Sequence, residues 1–86
     1  MFFVKIRLLG RSKWMNVVGP KIKLIRVSKG LTQEALAARC NVLKWDISRG
    51  TLAKIESRIR RVTGAEVALL AEALRIDIQE LYIDQN

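Results

Sequence analysis

Five residues suited to opening a helix, Pro20, Thr32, Ser48, Thr63 and Asp77, recur at intervals of twelve to sixteen positions. Each precedes apolar residues spaced three or four apart, so from residue 20 onward the chain reads as short helices joined by brief turns. Pro20 suits the first helical position, where its missing N–H has no intrahelical partner to lose. Ile22 and Ile25 then share a face, and Gly30 closes a first helix of about residues 20–28. Thr32 caps a second helix with the stripe Leu36, Ala37, Cys40 and Leu43. Lys44-Trp45-Asp46-Ile47 breaks the pattern. Ser48 caps a third helix of about residues 48–59, whose apolar face is the narrow line Leu52, Ile55 and Ile59. Thr63 and Glu66 form a capping box, in which hydroxyl and carboxylate each accept the other residue's backbone N–H. The fourth helix then buries Val67, Leu70, Ala71 and Leu74, and Asp77 with Glu80 forms a second capping box that opens a short fifth helix with Leu81 and Tyr82 turned inward. No strand pair or hairpin signal competes after residue 20. The expected fold class is all-α, a compact five-helix bundle.

A chain of 86 residues closes one hydrophobic core without metals or disulfides. Residues 1–17 read as an N-terminal extension and residues 18–86 as the folded domain. In the extension, Val4-Lys5-Ile6-Arg7-Leu8 alternates like a strand, while Phe2, Ile6 and Leu9 also fit one helical face. Two accounts of it stand open. Translation starts at Met15 rather than Met1 and leaves residues 1–14 outside the fold, or a basic arm wraps DNA. The positive charges fall within and after the apolar part, which is not the order of a secretory signal. No apolar run approaches the roughly 18 residues that span a bilayer, so no membrane role is expected. The single cysteine, Cys40, has no internal disulfide partner, which fits a cytoplasmic setting.

Charge is unevenly distributed. Residues 1–61 hold fifteen lysines and arginines against Glu34, Asp46 and Glu56, whereas residues 62–86 hold only Arg75 against five acids. One face should be basic and another acidic, and the basic one should attract a phosphate backbone with steep salt dependence.

The third helix concentrates the candidate chemistry. Its apolar residues lie along one side, which leaves the first turn free with Arg49, Gly50 and Thr51 and, one turn on, Lys54. A helix fits the major groove, and its N-terminal residues are the ones that reach base edges. Arg49 suits a bidentate contact to guanine, Thr51 offers a hydroxyl and a methyl, and Gly50 permits close approach. The N-terminus of the second helix, with Thr32 and Gln33, suits a phosphate. Arg58, Arg60 and Arg61 follow the third helix as further phosphate contacts, with a plain solvated basic surface as the alternative.

The runs Gly30-Leu31-Thr32-Gln33-Glu34-Ala35-Leu36-Ala37 and Ile47-Ser48-Arg49-Gly50-Thr51-Leu52-Ala53-Lys54-Ile55-Glu56, with Leu69–Leu74 and Glu80-Leu81 at matching spacing, resemble the phage-repressor and Cro-like helix-turn-helix family, the XRE family. The resemblance covers residues 18–81. It implies a lambda-repressor-like domain of prokaryotic or phage origin, a transcriptional regulator binding double-stranded DNA, and a repressor in most settings. It makes Gln33 a phosphate clamp and places base contacts at Arg49, Gly50, Thr51 and Lys54. It makes Ala37 the small residue where the second and third helices cross, Leu52 and Ile55 core anchors, and Glu56 an internal acid facing a first-helix arginine such as Arg26. The chain departs from the family in one respect: the connection between those two helices is about five residues longer and lacks the usual glycine, so an extra turn of the second helix covered by Trp45 is expected.

An enzyme is not expected, nor a cofactor or metal. Histidine, the commonest general base and metal ligand, is absent, and Cys40 falls on an apolar stripe. The rival reading is an antitoxin or protein-partner module of the same fold, using Ile76, Ile78, Leu81 and Ile83 as a surface for a partner or a dimer. For DNA binding, a homodimer on an inverted repeat is expected. Arg49→Ala should then cost sequence preference, and Arg60→Ala should weaken all sequences alike.

Overall fold

The computed structural model describes residues 11–82, with side chains from Val18 onward. The readings that rest on Phe2, Val4–Leu9 and Ile83 lie outside the described residues. Five helices follow in order: α1 (Arg11–Ser28), α2 (Gln33–Val42), α3 (Arg49–Glu56), α4 (Gly64–Leu74) and α5 (Gln79–Tyr82). No strand occurs among the described residues, so the all-α bundle is as expected.

The helix starts form where the local chemistry puts them. Ala35 N–H donates to Thr32 Oγ1 at 3.0 Å, and Thr51 N–H donates to Ser48 Oγ at 3.1 Å. Thr63 and Glu66 exchange the two bonds of a capping box, each 3.1 Å. Such caps each contribute about 1 kcal/mol by satisfying donors that the first turn leaves open. At α5 the Asp77 carboxylate accepts from Gln79 N–H at 3.0 Å, a turn that launches the helix without a full capping box.

The first helix differs from expectation. Pro20 is not its first residue but lies inside α1, nine residues beyond the start at Arg11, so α1 takes in Met15. Proline there removes one N–H bond to the carbonyl four residues back. Burial outweighs that loss: Val18 and Ile22, one turn apart, are both fully buried. Gly19 between them lies against α3 so closely that a Cβ would overlap the Ile55 carbonyl oxygen.

The helix ends share one device. After each of α1 to α4 a residue turns left-handed: Gly30 (φ 72°), Lys44 (φ 72°), Arg58 (φ 70°) and Arg75 (φ 61°). In each case the next N–H reaches back five residues, as Leu31 does to the Arg26 carbonyl, Trp45 to Cys40, Ile59 to Lys54 and Ile76 to Ala71. These are Schellman closures, and three of the four use a cation where glycine is usual. The one after α2 corrects the expected extra turn. That helix stops at Val42, Lys44 stands in for the missing glycine, and six residues connect α2 to α3. Trp45 does pack half-buried on the core.

Val18 and Ile22 of α1, Leu36, Ala37 and Cys40 of α2, Leu52 and Ile55 of α3, and Val67, Leu70, Ala71 and Leu74 of α4 meet in one core, joined by Ile47, Val62 and Leu81. One expected core residue lies elsewhere. Leu43, which caps α2, is half-buried against the core, whereas Ile59 is 75 % exposed because α3 ends at Glu56 and Arg58 reverses the chain before the apolar line can continue. The described members of the C-terminal apolar set turn toward the core. Leu81 is buried, and Ile76 and Ile78 pack against the core. No helix among the described residues is long and apolar enough to cross a membrane.

Candidate nucleic-acid interface

The third helix is held from behind. Leu52 and Ile55 are buried, and Glu56 is 4 % exposed on the same side. The opposite side begins with Ser48, whose Oγ caps the helix and donates onward to Thr51 Oγ1 at 3.2 Å. Arg49, Gly50 and Lys54 are exposed and Thr51 is half-buried. Gly50 and Lys54, four residues apart, stand one above the other. A Cβ at Gly50 would touch nothing closer than Ser48 Oγ at 3.8 Å, so the protein's own packing does not require glycine. Its absence of side chain leaves the backbone of the first turn open from outside.

A buried ionic network fixes the tilt of α3. Arg26 Nε donates to Glu56 Oε2 at 2.7 Å and Arg26 Nη2 to Oε1 at 3.1 Å. Arg26 Nη1 also donates to the Leu31 carbonyl at 2.7 Å, and Gln33 Nε2 donates to Glu56 Oε1 at 3.0 Å. One arginine and one glutamate thereby tie α1, the turn into α2, the start of α2 and the end of α3. The Arg26–Glu56 pairing is as the family resemblance implies; the inclusion of Gln33 in it is not. A glutamine amide nitrogen carries two hydrogens, so the bond to Glu56 uses one of them.

The arginines after α3 divide. Arg60 is committed to Glu66 by two bonds, 3.0 and 2.9 Å, and also donates to the Arg61 carbonyl at 3.1 Å. That hydrogen-bonded ion pair, with the Thr63 N–H, holds the Glu66 carboxyl below the usual carboxylate range and raises the Arg60 guanidinium in turn. Arg58 and Arg61 are exposed and form no ion pair among the described residues, so they remain available to an external anion. Thr32 is exposed at the start of α2 but already accepts a capping bond.

Exposed cations therefore cluster around α3: Lys44 and Arg49 near its start, Lys54 on its flank, Arg58 and Arg61 beyond its end. Of the acids nearby, Glu56 is internal and neutralised by Arg26, and Asp46 alone is exposed within residues 44–61. The contribution of Lys44 comes from the left-handed turn that carries it, which no residue-type rule signals. Gly19 was also hidden, because Gly19-Pro20 reads as the approach to a helix rather than as a contact inside one. Cys40 is fully buried, and burial pushes its thiol up to about 11, far from nucleophilic use at neutral pH.

A family model described as helix-turn-helix matches residues 22–81. No curated protein and no solved structure matches the chain.

Proposed function

Because this chain belongs to the phage-repressor and Cro-like helix-turn-helix family, whose members are DNA-binding transcriptional regulators, we propose that it is a sequence-specific repressor that reads the major groove with α3. The carrying observation is the two-sided character of that helix: Leu52, Ile55 and Glu56 anchored inward, Arg49, Gly50 and Lys54 outward. In this reading Arg49 makes a bidentate contact to guanine N7 and O6, the geometry in which arginine discriminates best. Thr51 and Lys54 complete the base-facing set, and the Gly50 backbone allows close approach.

Phosphates on either side of the groove fix the pose. Gln33 donates its remaining amide hydrogen to one, Thr32 and the free N–H groups of α2 add to it, and Arg58 and Arg61 take another. Arg60 contributes through its field and through the shape of the loop, since Glu66 holds its donors. Two copies on an inverted repeat, about one helical turn apart, place two such helices in successive major grooves. The setting is cytoplasmic.

A protein-partner role alongside DNA binding is favoured by one observation: Leu24 and Val27, three apart on α1, are 62 % and 58 % exposed. Selection of bound duplexes from a random pool at near-physiological salt tests the main reading. Recovery of one shared motif supports it, and recovery of unrelated sequences with equal affinity overturns it.

A further inference from the structure

Ile59 is 75 % exposed, yet its position is tightly determined. Its N–H donates to the Lys54 carbonyl at 2.8 Å, the Arg60 N–H donates to the same carbonyl at 3.0 Å, and Arg58 N–H donates to the Ile55 carbonyl at 3.1 Å. Arg58 adopts φ 70°, a costly geometry for a side chain, and Arg60 is clamped to Glu66. The loop thus presents a large apolar side chain outward from a hydrogen-bonded turn, flanked along the chain by the exposed cations Arg58 and Arg61.

That setting selects an occupant. A second copy of this chain would bring the same cations face to face. A partner with dense negative charge and apolar surface between its charges fits, and deoxyribose between phosphates is such a surface. The position agrees. Eight residues of α3 span about 12 Å, more than the roughly 8.5 Å depth of the major groove. When the first turn of α3 faces bases, the loop after its last turn reaches the rim where sugars and phosphates lie.

We infer that Ile59 is itself a DNA contact, packed on the deoxyribose edge between phosphate contacts from Arg58 and Arg61. This rests on α3 being the reading helix, and it turns a residue patterned like core into part of the interface. The contact is indifferent to base identity and releases no counterion.

The test measures the dissociation constant of a mixed-sequence duplex and of a pool-selected duplex over about 50–200 mM potassium chloride. Wild type is compared with Ile59→Ser, Ile59→Val and Arg58→Ala, and unchanged thermal melting confirms folding of each. Ile59→Ser should bind both duplexes about three- to tenfold more weakly with the same salt slope, the scale expected from half-burying an isoleucine. Ile59→Val should recover most of the loss, and Arg58→Ala should lower the slope by about one. Unchanged affinity in Ile59→Ser overturns the contact while leaving the α3 reading standing. A change confined to self-association, seen by sedimentation without DNA, overturns it in favour of a protein interface. Wild-type protein that binds no duplex overturns both readings.

Discussion

Arg26 and Glu56 meet 2.7 Å apart with side chains 9 % and 2 % exposed, so the last turn of α3 is pinned to α1 by a nearly dry ion pair. Thirty residues separate the partners, and Gln33 and the Leu31 carbonyl satisfy further donors and acceptors of the pair. Removing one partner leaves an uncompensated buried charge. Glu56→Ala should therefore lose about 3–5 kcal/mol of stability, a large share of what a domain this size has. Replacing both partners by apolar residues of similar volume should lose much less. Urea unfolding of the single and double variants measures the difference.

Gly19 faces the Ile55 carbonyl with no room for a side chain. Alanine in a helix is ordinarily favoured over glycine by about 1 kcal/mol. Here the overlap is with backbone, which cannot swing aside, and overpacking of that kind costs about 1–3 kcal/mol. Gly19→Ala should lower the melting temperature despite raising helix propensity, and it should weaken DNA binding beyond the stability change by tilting α3.

Lys44 and Arg75 hold left-handed conformations that glycine adopts without penalty. Lys44→Gly and Arg75→Gly should each stabilise the fold by about 0.5–1 kcal/mol, after allowing for glycine's greater freedom in the unfolded chain. Thermal melting of the two variants and their combination checks this, with additive gains expected because the sites close different helices.

These cases also show what the sequence makes legible. Helix starts were readable because a cap and its N–H lie within three residues, as in Thr32, Ser48 and Thr63. Helix ends were less so: Lys44, Arg58 and Arg75 do at the C-termini what glycine is expected to do, and nothing in a basic residue signals a positive φ. The error at Ile59 follows directly, since the apolar spacing continues past Glu56 while the helix does not. The early start of α1 was masked by Pro20, whose local preference lost to burial of Val18. The outward residues Arg49, Gly50 and Lys54 were legible because they are what remains after the inward stripe is removed. The pairing of Arg60 with Glu66 was not, since both residues had other plausible roles, one on a phosphate and one in a capping box.

Cys40 keeps its proton longer in the folded protein than in the unfolded chain, its thiol being raised from 9.0 to about 11. Between those values the unfolded state ionises first, so stability falls as pH rises from about 9 to about 11 and levels off beyond. The lower plateau lies about 2–3 kcal/mol down for this group. Subtracting the pH profile of Cys40→Ala from that of wild type isolates the effect, and native protein at neutral pH should react with a thiol reagent far more slowly than unfolded protein.

The decisive measurement compares Arg49→Ala with wild type on the pool-selected duplex and on a mixed-sequence duplex at one salt concentration. A base-reading arginine predicts a loss of about 1–3 kcal/mol on the selected duplex, little change on the mixed one, and relaxed preference at a single guanine. Arg61→Ala, by contrast, should weaken both alike. Equal losses on the two duplexes for Arg49→Ala would contradict the account.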